Sequence, residues 1–206
     1  MTGRCEALVL GIGNVLWADE GFGVRAVEAL HAKYAFPDAV AVLDGGTQGL
    51  YLFGAIAAAR RVLVFDAIDF GLAPGTLRIL RDGEVPAWKP QKISPHQTGF
   101  NDVLALAQLR GEAPEAITLI GVQPEELSDL GGSLREPVRA RIAEAVELAA
   151  AELAAWGFPA RLRDAGAAVA PLNAVALTLE VYESGRPSSD EACRVGDPRV
   201  LVRTRI

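Results

Sequence analysis

Two cysteines, two histidines and a single methionine stand in 206 residues, and these scarcities exclude a good deal. Cys5 and Cys193 are too few and too far apart for a disulfide framework, which fits a reducing compartment and idle or buried thiols. With only His31 and His96 there is no His-Glu-x-x-His pair. A Gly-x-Ser-x-Gly elbow and a phosphate-binding Gly-x-x-x-x-Gly-Lys loop are missing too, and neither cysteine is near His96 in the chain. Nucleophilic hydrolysis by Ser or Cys is thereby disfavoured. No stretch approaches the roughly 20 uninterrupted apolar residues of a membrane helix. The start, "MTGRCEALVLGIGN", has no hydrophobic core followed by a small-residue cleavage site. The expectation is a cytoplasmic protein with no membrane partner. Cations are short as well: 20 Lys and Arg against 26 Asp and Glu leave a net charge of −6, the wrong sign for a main partner that is nucleic acid. Basic residues do gather late, at Arg161, Arg163, Arg199, Arg203 and Arg205.

What is present is a core. Half the residues are apolar, and a chain of this length buries one sizeable interior. "EALVLGIG" reads as a buried strand and "GFGVRAVEALHAKY" as an amphipathic helix with Val24, Val27 and Leu30 on one side. "AVAVLDGG" is a second strand ending at Asp44, "LYLFGAIAAA" a helix, and "RRVLVFDAID" a third strand running out at Asp66. "GTLRILRDGEVP" alternates like a half-exposed strand, "GFNDVLALAQLR" is helical, "AITLIGVQPEEL" is another buried strand, and "EPVRARIAEAVELAAAELAAW" closes as a long helix. Strands alternating with helices predict a doubly wound α/β fold, a mostly parallel sheet flanked by helices on both faces. After Trp156 the composition turns to Gly, Pro and Ala. The chain therefore divides into an α/β domain over residues 1–156 and a C-terminal extension over residues 157–206. In the extension, "VALTLEVY" and "RVLVRTRI" would pair as a hairpin or form a loosely ordered tail.

The first strand is followed by "GIGNVLWADEGFG", Gly11 to Gly23, where a dinucleotide fingerprint would lie. The third glycine of that fingerprint is Leu16, and Asp19 and Glu20 occupy the place of a phosphate. The partial positive charge of a helix beginning near Phe22 favours carboxylates, and carboxylates suit a cation. With strand order 2-1-3 the first and third strands are neighbours, so Glu20 and Asp66 face one crevice at the switch point. His31 reads as a partly exposed helix residue. His96 lies in "KISPHQTGF", where Pro95 and Gly99 exclude a regular helix and leave a loop free to fold over the crevice. Glu20, Asp66 and His96 would form an O, O, N ligand set with open positions, suited to zinc, nickel or manganese. The plainer alternative leaves Asp66 capping a turn, Glu20 capping a helix and His96 hydrogen-bonded in a loop.

Five segments in order, "GIGNVLWADEGFGVRAVEAL", "VLDGGTQGL", "VFDAID", "KISPHQTGF" and "LIGVQPEEL", resemble the signature segments of the [NiFe]-hydrogenase maturation endopeptidases, over about residues 5–156. "LWADEGFG" and "TQGLYL" look most like members serving uptake hydrogenases. The resemblance implies an endopeptidase that removes a C-terminal extension from the hydrogenase large-subunit precursor once nickel has been inserted. Glu20, Asp66 and His96 match the family's metal-contacting positions. The nickel is contributed by the substrate, no organic cofactor is implied, and an open docking surface fits a monomer. Candidate catalytic residues are Glu20, Asp66 and Asp44; water activation falls to Asp44 or Glu20, while Asp44 also reads as a turn-capping residue in "LDGGT". Asp19 is expected to be a helix cap or a supporting group, Asn14 a brace for its loop, Gly45 and Gly46 a source of backbone freedom, and Gln97, Thr98 and Gly99 the shapers of the His96 loop. Two other readings stay open: a nickel-sensing or escort protein that binds the large subunit without cutting it, and a metallohydrolase with its own zinc.

Overall fold

Residues 5–87, 95–164, 166 and 168–186 are described by a computed structural model. In chain order the elements are β1 (Cys5–Ile12), α1 (Phe22–Lys33), β2 (Tyr34–Ala35), β3 (Val40–Gly46), α2 (Phe53–Ala57), β4 (Ala59–Ala67) and β5 (Leu77–Arg81). They continue with α3 (Glu84–Ala87), α4 (Pro95–Arg110), β6 (Ala116–Val122), α5 (Glu136–Arg139), α6 (Ile142–Ala155), β7 (Arg161–Leu162) and α7 (Leu179–Ser184). Short 3-10 turns at Ala18–Gly21, Gly49–Leu52 and Val175–Leu177 precede α1, α2 and α7.

Five strands form one sheet in the order β3-β1-β4-β6-β5, parallel except for β5, which runs antiparallel to β6 at one edge. The three strands expected as 2-1-3 are β3, β1 and β4, and that order holds. β1, β4 and β6 are apolar in succession because both faces are covered. On one face, α1 and α6 bury Phe22, Val27, Leu30, Val146 and Leu153 against Val9, Phe65 and Ile120. On the other, α2 and α4 bury Ile56, Phe100, Val103 and Leu104 against Leu10, Val64 and Leu119. α1 leaves β1 on the first side, and the return through α2 enters β4 from the second. The chain reverses between β1 and β4, so their carboxyl ends bound the crevice.

Two expectations need correcting. Pro95 and Gly99 do not exclude a helix: both lie in α4. Proline is tolerated in a first turn, where its missing N–H has no intrahelical partner anyway. A Cβ on Gly99 would stand 3.0 Å from the Gly49 Cα, so a small residue there lets α4 approach the turn after β3. The hairpin in the extension is also overturned. "VALTLEVY" folds into the 3-10 turn Val175–Leu177 and α7, while "RVLVRTRI" lies outside the described residues. Among the described residues after Trp156, the strand that forms is β7, antiparallel to β2. Cys5 is half-buried, its thiol donating to the Ala39 and Ala7 carbonyls, and Cys193 lies outside the described residues.

Candidate active site

The loop between β1 and α1 is folded by its glycines. Gly13 has φ +140°, and a Cβ there would fall 1.9 Å from the Glu20 carbonyl oxygen, which accepts the Asn14 N–H at 3.1 Å. The Gly13 N–H donates to the Gly46 carbonyl at 3.0 Å, so the loop is also tied to the end of β3. Glu20, half-buried, is returned by these contacts to the carboxyl end of β1, two residues before α1 begins. Asn14 braces the loop as expected, its Oδ1 accepting the Leu16 N–H at 3.0 Å. The glycines that fail as a phosphate fingerprint serve helix packing instead. A Cβ on Gly11 would meet the Gly23 carbonyl at 2.3 Å, and one on Gly23 would meet the Ile12 and Phe65 carbonyls at 2.1 and 2.2 Å.

Asp66 is buried, 4% exposed, on the last turn of sheet before the chain leaves β4, level with Gly121 of β6. Its Oδ1 accepts the Ala67 N–H at 2.8 Å. Alternation along β4 puts it in the row of Val62 and Val64, on the α2/α4 face. The 3-10 turn carrying Glu20 packs against β4, so both acids stand at the switch point. Asp44 is opposite Gly11 in the β1–β3 register and in the row of Val40 and Val42, toward the α1/α6 face. Its Oδ1 accepts the Gly46 N–H at 2.7 Å, a turn made possible by Gly46 at φ +45°. His96 is the second residue of α4, on the helix whose first turn meets Gly49. The His96 side chain lies outside the described residues, as do those of Gln97 and Thr98. Among the described residues no three His, Cys, Asp or Glu side chains converge to hold a metal. His31 is the helix residue it was read as, with Nε2 3.1 Å from the Ala170 carbonyl.

Asp19 fills the supporting role, one of the two expected of it, and Gln123 carries a role that sequence reasoning missed. Asp19 is fully buried and is not a cap for its own helix. Its Oδ2 accepts the Glu125 and Glu126 N–H groups at 2.8 and 2.9 Å, and its Oδ1 accepts the Arg135 N–H at 2.7 Å. Gln123, 6% exposed, accepts the Phe70 and Leu72 N–H groups at 2.7 and 3.1 Å and donates to Asp69 at 3.1 Å. The stretch "QPEEL" after β6 thus fixes the loop following β1 with its backbone and the loop following β4 with Gln123. Its signals in the sequence were its place after a strand and its part in the fifth of the resembling segments, neither of which names its partners. Among the described residues of these three loops, Asp19, Glu20, Asp69, Glu125, Glu126 and Asp129 face one cation, Arg135, which is paired with Asp129 at 2.8 Å.

A doubly wound α/β protein that offers carboxylates where a nucleotide-binding relative would offer phosphate-binding amides is the class that this fold and site define. The sequence profile of hydrogenase maturation proteases matches residues 24–152, and the chain belongs to that family. It is accordingly a peptide-bond hydrolase. The hydrogenase expression/formation protein HoxM of Azotobacter vinelandii is 56% identical over 195 residues, 94% of this chain and 93% of its own. The corresponding protein HupD of Rhodobacter capsulatus is 55% identical over 196 residues, 94% of this chain and 92% of its own. Among solved structures, the hydrogenase maturating endopeptidase HybD from Escherichia coli superposes with a TM-score of 0.73 at 47% identity. That match covers 98% of HybD and 77% of this chain, so nearly a quarter of the chain has no counterpart there. Among the described residues, no helix is long and apolar enough to cross a membrane.

Proposed function

We propose that this peptidase removes the C-terminal extension of a [NiFe]-hydrogenase large-subunit precursor in the cytoplasm, after nickel insertion, by reading the nickel that the precursor carries. Likeness to HoxM and HupD supports an uptake-type hydrogenase as the source of that precursor. The observation that carries the reading is the convergence of Glu20 and Asp66 at the β1/β4 switch point, in an end of the sheet whose described loops are acidic. Glu20, Asp66 and His96 contact the nickel. His96 is the second residue of α4, which packs on the face of the sheet that Asp66 belongs to. Three such ligands hold a metal presented by another protein without stripping it away, which a closed four-ligand cage would not permit.

Docking of the metal orients the scissile peptide beside the crevice, and Asp44 or Glu20 accepts a proton from the attacking water. The protein acts as a monomer and takes no organic cofactor. The deciding experiment is mass spectrometry of purified precursor, with and without nickel, incubated with wild type or His96→Ala. Loss of a C-terminal peptide only with nickel and only with wild type is the expected result. Binding without cleavage in every sample would replace the peptidase reading by the escort one. Cleavage of nickel-free precursor by enzyme containing stoichiometric zinc would assign the metal to the enzyme instead.

A further inference from the structure

The described part of the extension is anchored from one end to the other. Arg163 caps the carboxyl end of α1, its Nε donating to the His31 and Tyr34 carbonyls at 2.9 and 3.0 Å, while its N–H continues the β2–β7 pairing onto the Lys33 carbonyl. Asn173 donates to Glu28 at 3.1 Å. Arg25, only 4% exposed, donates to Glu28 at 2.9 Å and to the Leu177 carbonyl, and its guanidinium lies 5.7 Å from the centre of the Tyr182 ring. Its Nη2 is buried without a hydrogen-bond acceptor, a cost accepted only where the surrounding contacts hold the side chain in place.

α7 then meets the loop that clamps Asp19. The Tyr182 hydroxyl donates to the Gly132 carbonyl at 3.2 Å. The Glu183 carboxylate receives the Ser133 hydroxyl and the Arg139 guanidinium, which also donates through Nη1 at 3.2 Å. Ser133 is buried, and two residues further on the Arg135 N–H is held by Asp19, the neighbour of Glu20. The same loop is stitched to the Glu20 loop by Gly131 N–H donating to the Leu16 carbonyl at 2.7 Å and by the Trp17–Leu130 bridge.

We propose that the extension is a strap, with Glu183 as its positioning residue, that holds the segment 131–139 and through Asp19 fixes the Glu20 carboxylate for catalysis. The proposal rests on the reading above only in taking Glu20 as a working group. A tail that merely decorated the surface would not place its acid on a buried serine of the loop that clamps Asp19 and on Arg139 of the short helix that follows it.

The test uses the full chain, the chain stopped after Asn173, and Glu183→Gln, which keeps the shape and one acceptor but drops the charge. Amide hydrogen exchange is measured across residues 13–21 and 123–139 and, as an internal control, across β1 and β4. Exchange in the two loops rises about threefold to tenfold in the truncated chain and less in Glu183→Gln, while the strands keep wild-type protection. On nickel-loaded precursor, kcat falls with KM unchanged, because the strap orients a group and does not touch substrate. Unchanged loop exchange overturns the strap. A raised KM with unaltered kcat overturns it as well and makes the extension a docking surface for the precursor. If the wild type fails to cleave, the proposed function fails, yet the exchange measurement still decides whether the strap exists.

Discussion

Gly23 stands so close to Phe65 that a methyl group on its Cα would lie 2.2 Å from the Phe65 carbonyl oxygen and 2.1 Å from that of Ile12. This contact seats the first turn of α1 on the ends of β1 and β4, and with it the 3-10 turn carrying Glu20 packs against β4. Both colliding atoms are backbone, so neither can swing away. Gly23→Ala therefore costs about 3 kcal/mol or more, at or beyond the usual upper end for overpacking. Chemical denaturation reads it as a lower midpoint with an unchanged slope; stability within about 0.5 kcal/mol of wild type would mean that the helix can lift off the sheet.

Asp19 holds three backbone N–H groups with one buried carboxylate. An amide in its place presents at least one N–H to another N–H. Asp19→Asn is expected to destabilise by about 2–3 kcal/mol, the cost of losing a charge-assisted bond and burying an unmatched donor. Cleavage should fall with it even though Glu20 is intact. A variant with wild-type melting behaviour would show that the loop after β6 needs no such anchor.

Much of this was legible beforehand for a physical reason. The apolar stretches Ala7–Ile12 of β1, Val62–Phe65 of β4 and Leu119–Val122 of β6 belong to strands covered on both faces, which made a parallel sheet legible, while the order 2-1-3 and its crevice followed from the common doubly wound topology. Asp44 and Asp66 could be placed because each comes at the end of a strand, and Glu20 because it lies in the loop after the first strand. Of the two roles expected of Asp19, the supporting one holds, but its partners were not legible because they are more than 100 residues away and no local pattern announces a contact of that span. Pro95 was misread because the same residue that breaks a helix interior is welcome in its first turn. Alternation in "VALTLEVY" looked like a strand, but Thr178 precedes a six-residue helix whose Tyr182 and Glu183 contact Gly132, Ser133 and Arg139, so tertiary contacts outweighed the local pattern.

Acid should loosen the molecule through two named carboxylates. Glu152 of α6 receives Arg81 of β5 at 2.8 Å and the Thr118 hydroxyl of β6 at 2.8 Å, and the arginine hydrogen bond holds its pKa below the ordinary 4.5. Glu183 is held below the same value, first by its hydrogen bond from Arg139, then by Ser133 and the nearby Arg186. A carboxylate depressed in the folded state contributes stability that is fully present above its unfolded pKa and disappears as pH falls through the folded one. The melting temperature should therefore decline below about pH 4.5, and Glu152→Gln should flatten that decline while costing stability at neutral pH. Parallel acid slopes for wild type and variant would remove Glu152 from the account.

Asp44 separates a turn residue from a catalytic base. Its Oδ1 accepts the Gly46 N–H, a bond that an asparagine side-chain oxygen reproduces, so Asp44→Asn should melt within about 0.5 kcal/mol of wild type. An asparagine cannot take a proton from water at neutral pH. If Asp44 is the base, kcat on nickel-loaded precursor falls about 10²-fold to 10⁴-fold while KM and precursor binding are retained. We expect this loss for Asp44→Asn. For Asp66→Asn the expectation differs: a metal contact is weakened, so precursor binding itself should suffer. Processing at the normal rate by Asp44→Asn would leave Glu20 as the carboxylate that activates water and reduce Asp44 to the turn that closes β3.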